Sequence, residues 1–280
     1  MLPGSAESIV PSSSAAADSS AAAFPLFRLA DVSFEISGRR VLDGLTATLE
    51  TSHMFALVGP NGSGKSSLLR LLARQEAPSN GRLDYRGRSI AAIGRREFAR
   101  SVAFLPQFPP PADSMNVREL VALGRFPWHG PLGRFTERDA EKTEEALRRT
   151  DLLQMADRIV DTLSGGERQR VWLAMMLAQE TNCLLLDEPT SALDVAHQVE
   201  ILALIRELSY ERAMGVVIVL HDVNLAARYC DEILALKSGR LIARGPATEI
   251  VTSTVLEQIY GIEMGVVPNP STGLPMSYVR

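Results

Sequence analysis

The chain has 280 residues, 46% of them hydrophobic and 22% charged, with a formal net charge of -4, the make-up of one large globular domain or two intimate subdomains. The absence of a basic excess argues against a nucleic-acid partner, and two cysteines, Cys183 and Cys230, make neither a disulfide framework nor a zinc site, so a reducing compartment fits best. No apolar run approaches the ~18 residues that span a bilayer, so any membrane association has to come through a partner.

Residues 1–24 are rich in Ser and Ala and lack both a basic start and a continuous apolar stretch; they read as a disordered tail, neither signal peptide nor domain. From Leu26 to Val58 short apolar stretches alternate with turns: Phe27-Arg28-Leu29, Val32 to Ile36, the Ser37-Gly38 turn, Val41-Leu42 and Leu45 to Leu49. Together with Gly81 to Gly87 they predict a small, mostly antiparallel sheet.

Phe55-Ala56-Leu57-Val58 runs into Gly59-Pro60-Asn61-Gly62-Ser63-Gly64-Lys65-Ser66-Ser67 and then a helical stretch from Leu68 to Leu72. This is the strand, loop and helix context of the G-x-x-x-x-G-K-[ST] phosphate loop. Its glycines let the backbone close on a polyphosphate and turn successive N–H groups inward, and the helix start adds the positive end of its dipole. Lys65 supplies a point charge for the β- and γ-phosphates, the Ser66 hydroxyl is placed to ligate Mg²⁺, and Ser67 to donate to the α-phosphate.

Ala103-Phe104-Leu105 is a short strand that ends at Pro106-Gln107, and Pro109-Pro110-Pro111 prevents a helix from following. From about Asn116 to Leu163 the pattern is helical, with capping-box spacing at Asn116/Glu119 and Thr136/Asp139 and one apolar face at Val117, Leu120 and Val121. Between those helices, Gly124 to Pro131 holds too much Gly and Pro for a helix; its Trp128 suits a partner surface and the local core of a packed turn equally well. Ser164 opens a further helix with Val171, Ala174, Met175 and Ala178 at helical spacing. Ser164 and Glu167 can cap it, while Gly165 and Gly166 leave its first N–H groups open to an anion.

Cys183 to Leu186 reads as a strand buried on both faces that ends at Asp187-Glu188, and Val216 to Leu220 repeats the design and ends at His221-Asp222. Carboxylates are too costly inside such a sheet and belong at its C-terminal edge, where open α/β sheets bind ligands. Asp194 can cap a helix from Val195 to about Leu208 with Val199, Leu202 and Ile205 as its core face. A strand pair at Ile233 to Leu236 and Arg240 to Ile242, a helical stretch from Val255 to Tyr260, and a final segment from Gly261 without clear period complete the chain.

Four strands thus deliver polar groups to one edge: the phosphate loop, Gln107, Asp187-Glu188 and His221. For a metal-bound triphosphate, Asp187 holds Mg²⁺ through water and Glu188 polarises the attacking water as general base. Gln107 completes the metal shell and senses the γ-phosphate, and His221 holds that phosphate and the water in line. A histidine merely satisfied at a strand end is the plain alternative for His221.

The ordered set GPNGSGKSS, Gln107, LSGGERQR, LLLDEP, Ser191-Ala192-Leu193-Asp194 and His221 resembles the ATP-binding subunits of ABC transporters, from about Leu26 to Ile250. The resemblance implies an α/β P-loop NTPase fold with a mostly parallel core sheet, a small antiparallel β subdomain and an α-helical subdomain at about 108–165. On that pattern the ATP-binding domain covers 25–255 and a C-terminal extension 256–280. The resemblance further implies ATP and Mg²⁺ as ligands and a head-to-tail dimer, in which Ser164, Gly165 and Gly166 of one copy close on the triphosphate held by the other and Asp194 communicates between the two sites. Members often stack an aromatic ring on adenine near the first turn, where this chain has Ile36. Ile36 offers apolar contact without stacking, a difference of about 0.5–1.5 kcal/mol, and Phe34 on the same strand face is the other candidate.

Within the family, GRFPWHGPLGRF, CLLLDEPTSALDVAHQVEIL, VLHDVNLAARYCD and LEQIYGIEMGVVP look like bacterial importer ATPases for ferric hydroxamate siderophores, the ferrichrome type. ATPases serving catecholate siderophores, haem or cobalamin share the machinery and stand as the alternative. The implied partners are a second copy, integral-membrane permease subunits and, indirectly, a substrate-binding protein, at the cytoplasmic face of the bacterial inner membrane. A soluble ABC ATPase acting on ribosomes, DNA or an assembly scaffold is disfavoured by the single motif set and the lack of extended heptads. A regulator without turnover is opposed by Asp187, Glu188 and His221 together.

Overall fold

A computed structural model of the chain describes residues 24–112, 114–191 and 193–280; the expected tail up to Ala23, and Ala192 of the Ser191 to Asp194 motif, lie outside them. In chain order the elements begin with β1 (Phe27–Ile36), β2 (Arg39–Leu49), β3 (Met54–Val58), α1 (Lys65–Leu72), β4 (Asn80–Tyr85), β5 (Arg88–Ser89), α2 (Arg95–Ala99) and β6 (Val102–Leu105). The helical stretch holds α3 (Val117–Ala122), α4 (Phe126–His129), α5 (Glu137–Arg149) and α6 (Gly165–Ala178). Then come β7 (Cys183–Asp187), α7 (Val195–Glu211), β8 (Gly215–Val219), α8 (Val223–Tyr229), β9 (Glu232–Lys237) and β10 (Arg240–Gly245). The chain closes with α9 (Ala247–Ile250), α10 (Ser253–Tyr260), β11 (Met264–Pro268) and β12 (Pro275–Val279).

The core sheet runs β10-β9-β3-β8-β7-β6, parallel except for β10. Strands β3, β6 and β8, β7 as far as Asp187, and β9 between Glu232 and Lys237 are apolar because both faces are covered, whereas the edge strand β10 carries Arg240 and Arg244. Met54, Ala56 and Val58 of β3 enter one apolar cluster with the helices, while Phe55 and Leu57 enter another with α1 and the antiparallel sheet. That second sheet has the order β2-β1-β4-β5 and is antiparallel throughout, as its turn-punctuated sequence predicted. The two stretches expected on either side of Asp31 form one strand, bulged where Asp31 adopts φ 52° and donates its N–H to Thr46 Oγ1 at 3.0 Å. Leu68, Leu69, Leu71 and Leu72 of α1 are all buried, at about 2 kcal/mol each, which fixes the helix start at the end of β3.

Three capping boxes occur where their spacing predicted them, at Asn116/Glu119, Thr136/Asp139 and Ser164/Glu167. The Gly124 to Pro131 expectation needs correction, because Phe126–His129 is a short helix. Pro127 sits in its first turn, where a missing N–H is harmless, and Gly130 ends it with φ 69°. Trp128 packs: its indole Nε1–H donates to the Gln179 carbonyl at 2.8 Å, and the guanidinium carbons of Arg100 and Arg125 stand 4.8 and 5.1 Å from its ring centre. The core face of α7 is Ile201, Leu202, Ile205 and Leu208, with Val199 only partly buried.

Arg125 is 2% exposed and joins three elements. Its Nε donates to Asp139 Oδ1 at 2.9 Å, and its Nη1 donates to the Ala178 carbonyl at 2.6 Å and to Glu180 Oε2 at 2.9 Å. Burial alone would raise the Asp139 carboxyl, but the Thr136 hydroxyl and N–H and the Arg125 guanidinium outweigh it and hold it at about 2. A carboxyl lowered by folding contributes stability above its unfolded value near 4, and that stability is lost as pH falls through about 2. The urea midpoint of the wild-type chain is therefore expected to fall between about pH 4 and 2, and that of Asp139→Asn to be flatter there; parallel curves would contradict the pairing.

The last segment also departs from expectation. Met264–Pro268 and Pro275–Val279 form an antiparallel hairpin whose loop is closed by Asn269, with Oδ1 accepting from the N–H groups of Ser271 and Thr272 at 2.9 and 3.2 Å. Its burial comes from two separate helices, α10 against β11 and α8 against β12, which leaves no alternating pattern to read.

Candidate active site

The phosphate loop leaves β3 with Gly59 at φ 139° and turns into α1 with Gly64 at φ 103°. A β-carbon on Gly59 would stand 2.0 Å from the Leu236 carbonyl, and one on Gly64 would stand 2.5 Å from Leu42 Cδ2, so both close approach and backbone geometry demand glycine. Lys65 is buried and its Nζ donates to the Gly59 and Pro60 carbonyls at 2.8 and 3.0 Å, closing the loop on itself. Burial pulls its ammonium down, partly offset by the charges of Glu188 and Asp187. The third N–H of Lys65 remains for a ligand. Ser63 Oγ is buried within the cradle with no hydrogen-bond partner among the described residues.

At the end of β7, Ser66 Oγ donates to Asp187 Oδ1 at 2.9 Å. Burial raises the Asp187 carboxyl and the Ser66 hydroxyl opposes that rise. Glu188, the next residue, adopts φ 52°, a left-handed conformation unusual for glutamate, and the Ser191 N–H and hydroxyl hold its carbonyl at 3.2 and 3.1 Å. This backbone turn sends the Glu188 side chain to the cleft while Asp187 stays beside Ser66. Glu188 Oε2 accepts from Gln107 Nε2 at 2.6 Å, and Glu188 Oε1 lies 2.7 Å from His221 Nε2.

The result is an open cleft of about 390 Å³ lined by Asn61 to Ser67, Gln107, Glu188 and His221, with Val41 and Arg70. Strands β3, β6, β7 and β8, all parallel, bring these groups to one C-terminal edge, the arrangement read from the strand ends. Val41 and Arg70 were missed. Arg70 was within reach of sequence reasoning, since it lies one helical turn after Ser66 and its Nε approaches the Ser66 carbonyl at 3.4 Å.

Ile36 is 44% exposed and does not line this cleft, while Phe34 is 6% exposed, packed in the core with no face for adenine. Ser164 and Gly165 are exposed and likewise outside the chain's own cleft. The Ser164 oxygen accepts from the Glu167 N–H at 3.3 Å, which leaves its hydroxyl proton free to donate elsewhere. Gly166 is buried against His197, whose Nδ1 pairs with Asp194 Oδ1 at 2.8 Å; Asp194 also caps α7 by accepting from the His197 N–H at 3.0 Å.

Residues 42–191 match the family model described as ABC transporter, and the chain is 43% identical over 237 residues to the ferric enterobactin transport ATP-binding protein FepC of Escherichia coli (strain K12), covering 84% of this chain and 87% of that one. The chain belongs to the ABC transporter family. This ABC ATPase is also 39% identical over 238 residues to the iron(3+)-hydroxamate import ATP-binding protein FhuC of Bacillus subtilis (strain 168), covering 85% and 88% of the two chains. Among solved structures it is similar to a chain of an ABC transporter in an inward-facing conformation, with TM-score 0.79 and 26% identity over 91% of this chain and 96% of that one. ATP binding and an ATPase activity coupled to transport follow from membership, as the ordered motifs implied. Among the described residues no helix is long and apolar enough to cross a membrane.

Proposed function

We propose that this ABC ATPase energises import of a ferric siderophore, a hydroxamate in the first instance, through a permease in the bacterial inner membrane. The observation that carries the reading is the meeting of Lys65, Gln107, Glu188 and His221 on one cleft in a chain whose relatives are named for importers of enterobactin, hydroxamate and petrobactin. A relative named for hemin import is 42% identical, which keeps haem, with catecholates and cobalamin, as the second reading. The cleft reads phosphate rather than cargo, so the choice among these lies with the permease.

The groups around Ser66 suit Mg²⁺: a hydroxyl, the Asp187 carboxylate and the Gln107 amide oxygen are hard oxygen donors. Among the described residues no three His, Cys, Asp or Glu cluster as a self-sufficient metal site, which accords with an ion whose shell is completed by phosphate and water. Bound there, Mg²⁺ would spread the charge of the β- and γ-phosphates. Lys65 and the loop N–H groups hold those phosphates, and Ser67 donates to the α-phosphate. Ser164, Gly165 and Gly166 of a second copy close the cleft, and Asp194 beside them links the two sites through His197.

Glu188 is the general base. Both of its oxygens face N–H donors, Gln107 and His221. A γ-phosphate entering between them competes for the same donors, so its arrival releases the carboxylate to take a proton from water while Gln107 and His221 turn to the phosphate.

Lys65→Ala is expected to weaken ATP binding by about 10–100-fold in equilibrium dialysis, the worth of one or two charge-assisted hydrogen bonds, and unchanged binding would reject the cradle. For the cargo, the chain reconstituted with its permease and binding protein is expected to drive ATP-dependent uptake of iron from a ferric hydroxamate into vesicles. Uptake of a ferric catecholate, haem or cobalamin with none from the ferric hydroxamate would move the protein to the second reading.

A further inference from the structure

The C-terminal hairpin lies outside the ATP cleft, yet it is fastened to the helix that starts just behind His221. Asn224 Oδ1 accepts from the backbone N–H of Ser277 at 2.7 Å and from its hydroxyl at 3.1 Å, and Asn224 Nδ2 donates to the Ser277 carbonyl at 3.1 Å. One amide side chain thus pairs with both backbone groups of Ser277, as a neighbouring strand would. Ser277 is buried, so water competes little for these bonds.

The other end of the linkage reaches the chemistry. The backbone N–H of Asn224 donates to Asp222 Oδ1 at 2.7 Å, the cap of α8, and Asp222 follows His221, whose Nε2 lies 2.7 Å from Glu188. Helix α8 has only 7 residues, too few to hold its own first turn without tertiary support. The His221 side chain is 47% exposed, so beyond its contact with Glu188 little packing holds the ring, and the backbone that carries it sets where the ring can reach.

We propose that Asn224 is a positioning residue and the hairpin a strut that fixes the start of α8, and through it the His221 ring against Glu188. This inference rests on the role proposed above for His221. Its consequence is that the hairpin governs turnover without governing ATP affinity.

The test uses the full chain in its permease complex. Asn224→Ala is expected to lower kcat by about 10-fold, the scale of loss for a misplaced catalytic group, with KM for ATP within about twofold, and to speed amide exchange over residues 220–226 by about 10-fold. Ser277→Ala, which retains both backbone bonds to Asn224, is expected to behave as wild type. In a His221→Ala background, read by single-turnover rate, adding Asn224→Ala should cost nothing further. Unchanged kcat and exchange in Asn224→Ala would overturn the strut, and an equal loss in both backgrounds would overturn its action through His221. Full turnover by His221→Ala alone would instead overturn the reading of the ATP site. Should Asn224→Ala fail to fold, Asn224→Asp, which keeps the bonds from the Ser277 N–H and hydroxyl but sets a carboxylate oxygen against the Ser277 carbonyl, decides by the same two readouts.

Discussion

Glu188→Gln is expected to lower steady-state ATP turnover by about 100- to 10,000-fold while leaving ATP binding intact, the range over which a positioned general base acts. Glutamine has the shape of the native side chain and can still accept from one of its two neighbours, so the cleft is preserved. It cannot take a proton from the attacking water. The φ of 52° at this position is a property of the turn held by Ser191 and is unaffected by the change. ATP that binds and is not cleaved should hold two copies together, so light scattering is expected to find an ATP-dependent dimer in the variant that decays in the wild type. Full turnover by Glu188→Gln would transfer the base to another group; loss of ATP binding would instead make Glu188 part of the cradle.

Arg125→Met is expected to destabilise the chain by about 3–5 kcal/mol, the cost of leaving a buried partner charge uncompensated. Asp139 is 4% exposed and loses its cation, and the Ala178 carbonyl and Glu180 lose a donor in the same step. Methionine fills much of the volume, so the loss reports charge rather than cavity. Adding Asp139→Asn should recover part of the deficit, since a neutral amide tolerates burial better than an orphaned carboxylate. Urea unfolding followed by tryptophan fluorescence would measure both, with Trp128 stacked on Arg125 as an internal reporter. A loss below about 1 kcal/mol would mean that water reaches the pair.

The phosphate loop, the strand-end acids, the capping boxes and the buried parallel strands were all legible because each is written within a few consecutive residues. A strand that must bury both faces is apolar throughout, a helix start needs a side-chain acceptor at fixed spacing, and a loop that wraps phosphate needs glycine where a β-carbon would collide. Such demands act on near neighbours in the chain. They therefore leave a local trace, and the chain order of Lys65, Gln107, Glu188 and His221 could be turned into one rim by assuming only that parallel strands end on the same side.

What the tertiary structure alone decided depends on groups distant in sequence. Arg125 looks like any surface arginine until Asp139 and Glu180 fold around it, and Trp128, half-buried against two guanidiniums with its indole N–H on the Gln179 carbonyl, is held in a packed turn. Phe34 and Ile36 share a pattern, yet one is buried and the other exposed, because bulges in β1 and the packing beneath it set their surroundings. The pairing of Glu188 with both Gln107 and His221, and the hairpin's grip on Asn224, span 81, 33 and 53 positions respectively. The sequence by itself determined which residues could meet a triphosphate and at which edge of the sheet. Which of them touch one another, and what holds them there, was decided by long-range contacts whose geometry exists only once the chain has closed on itself.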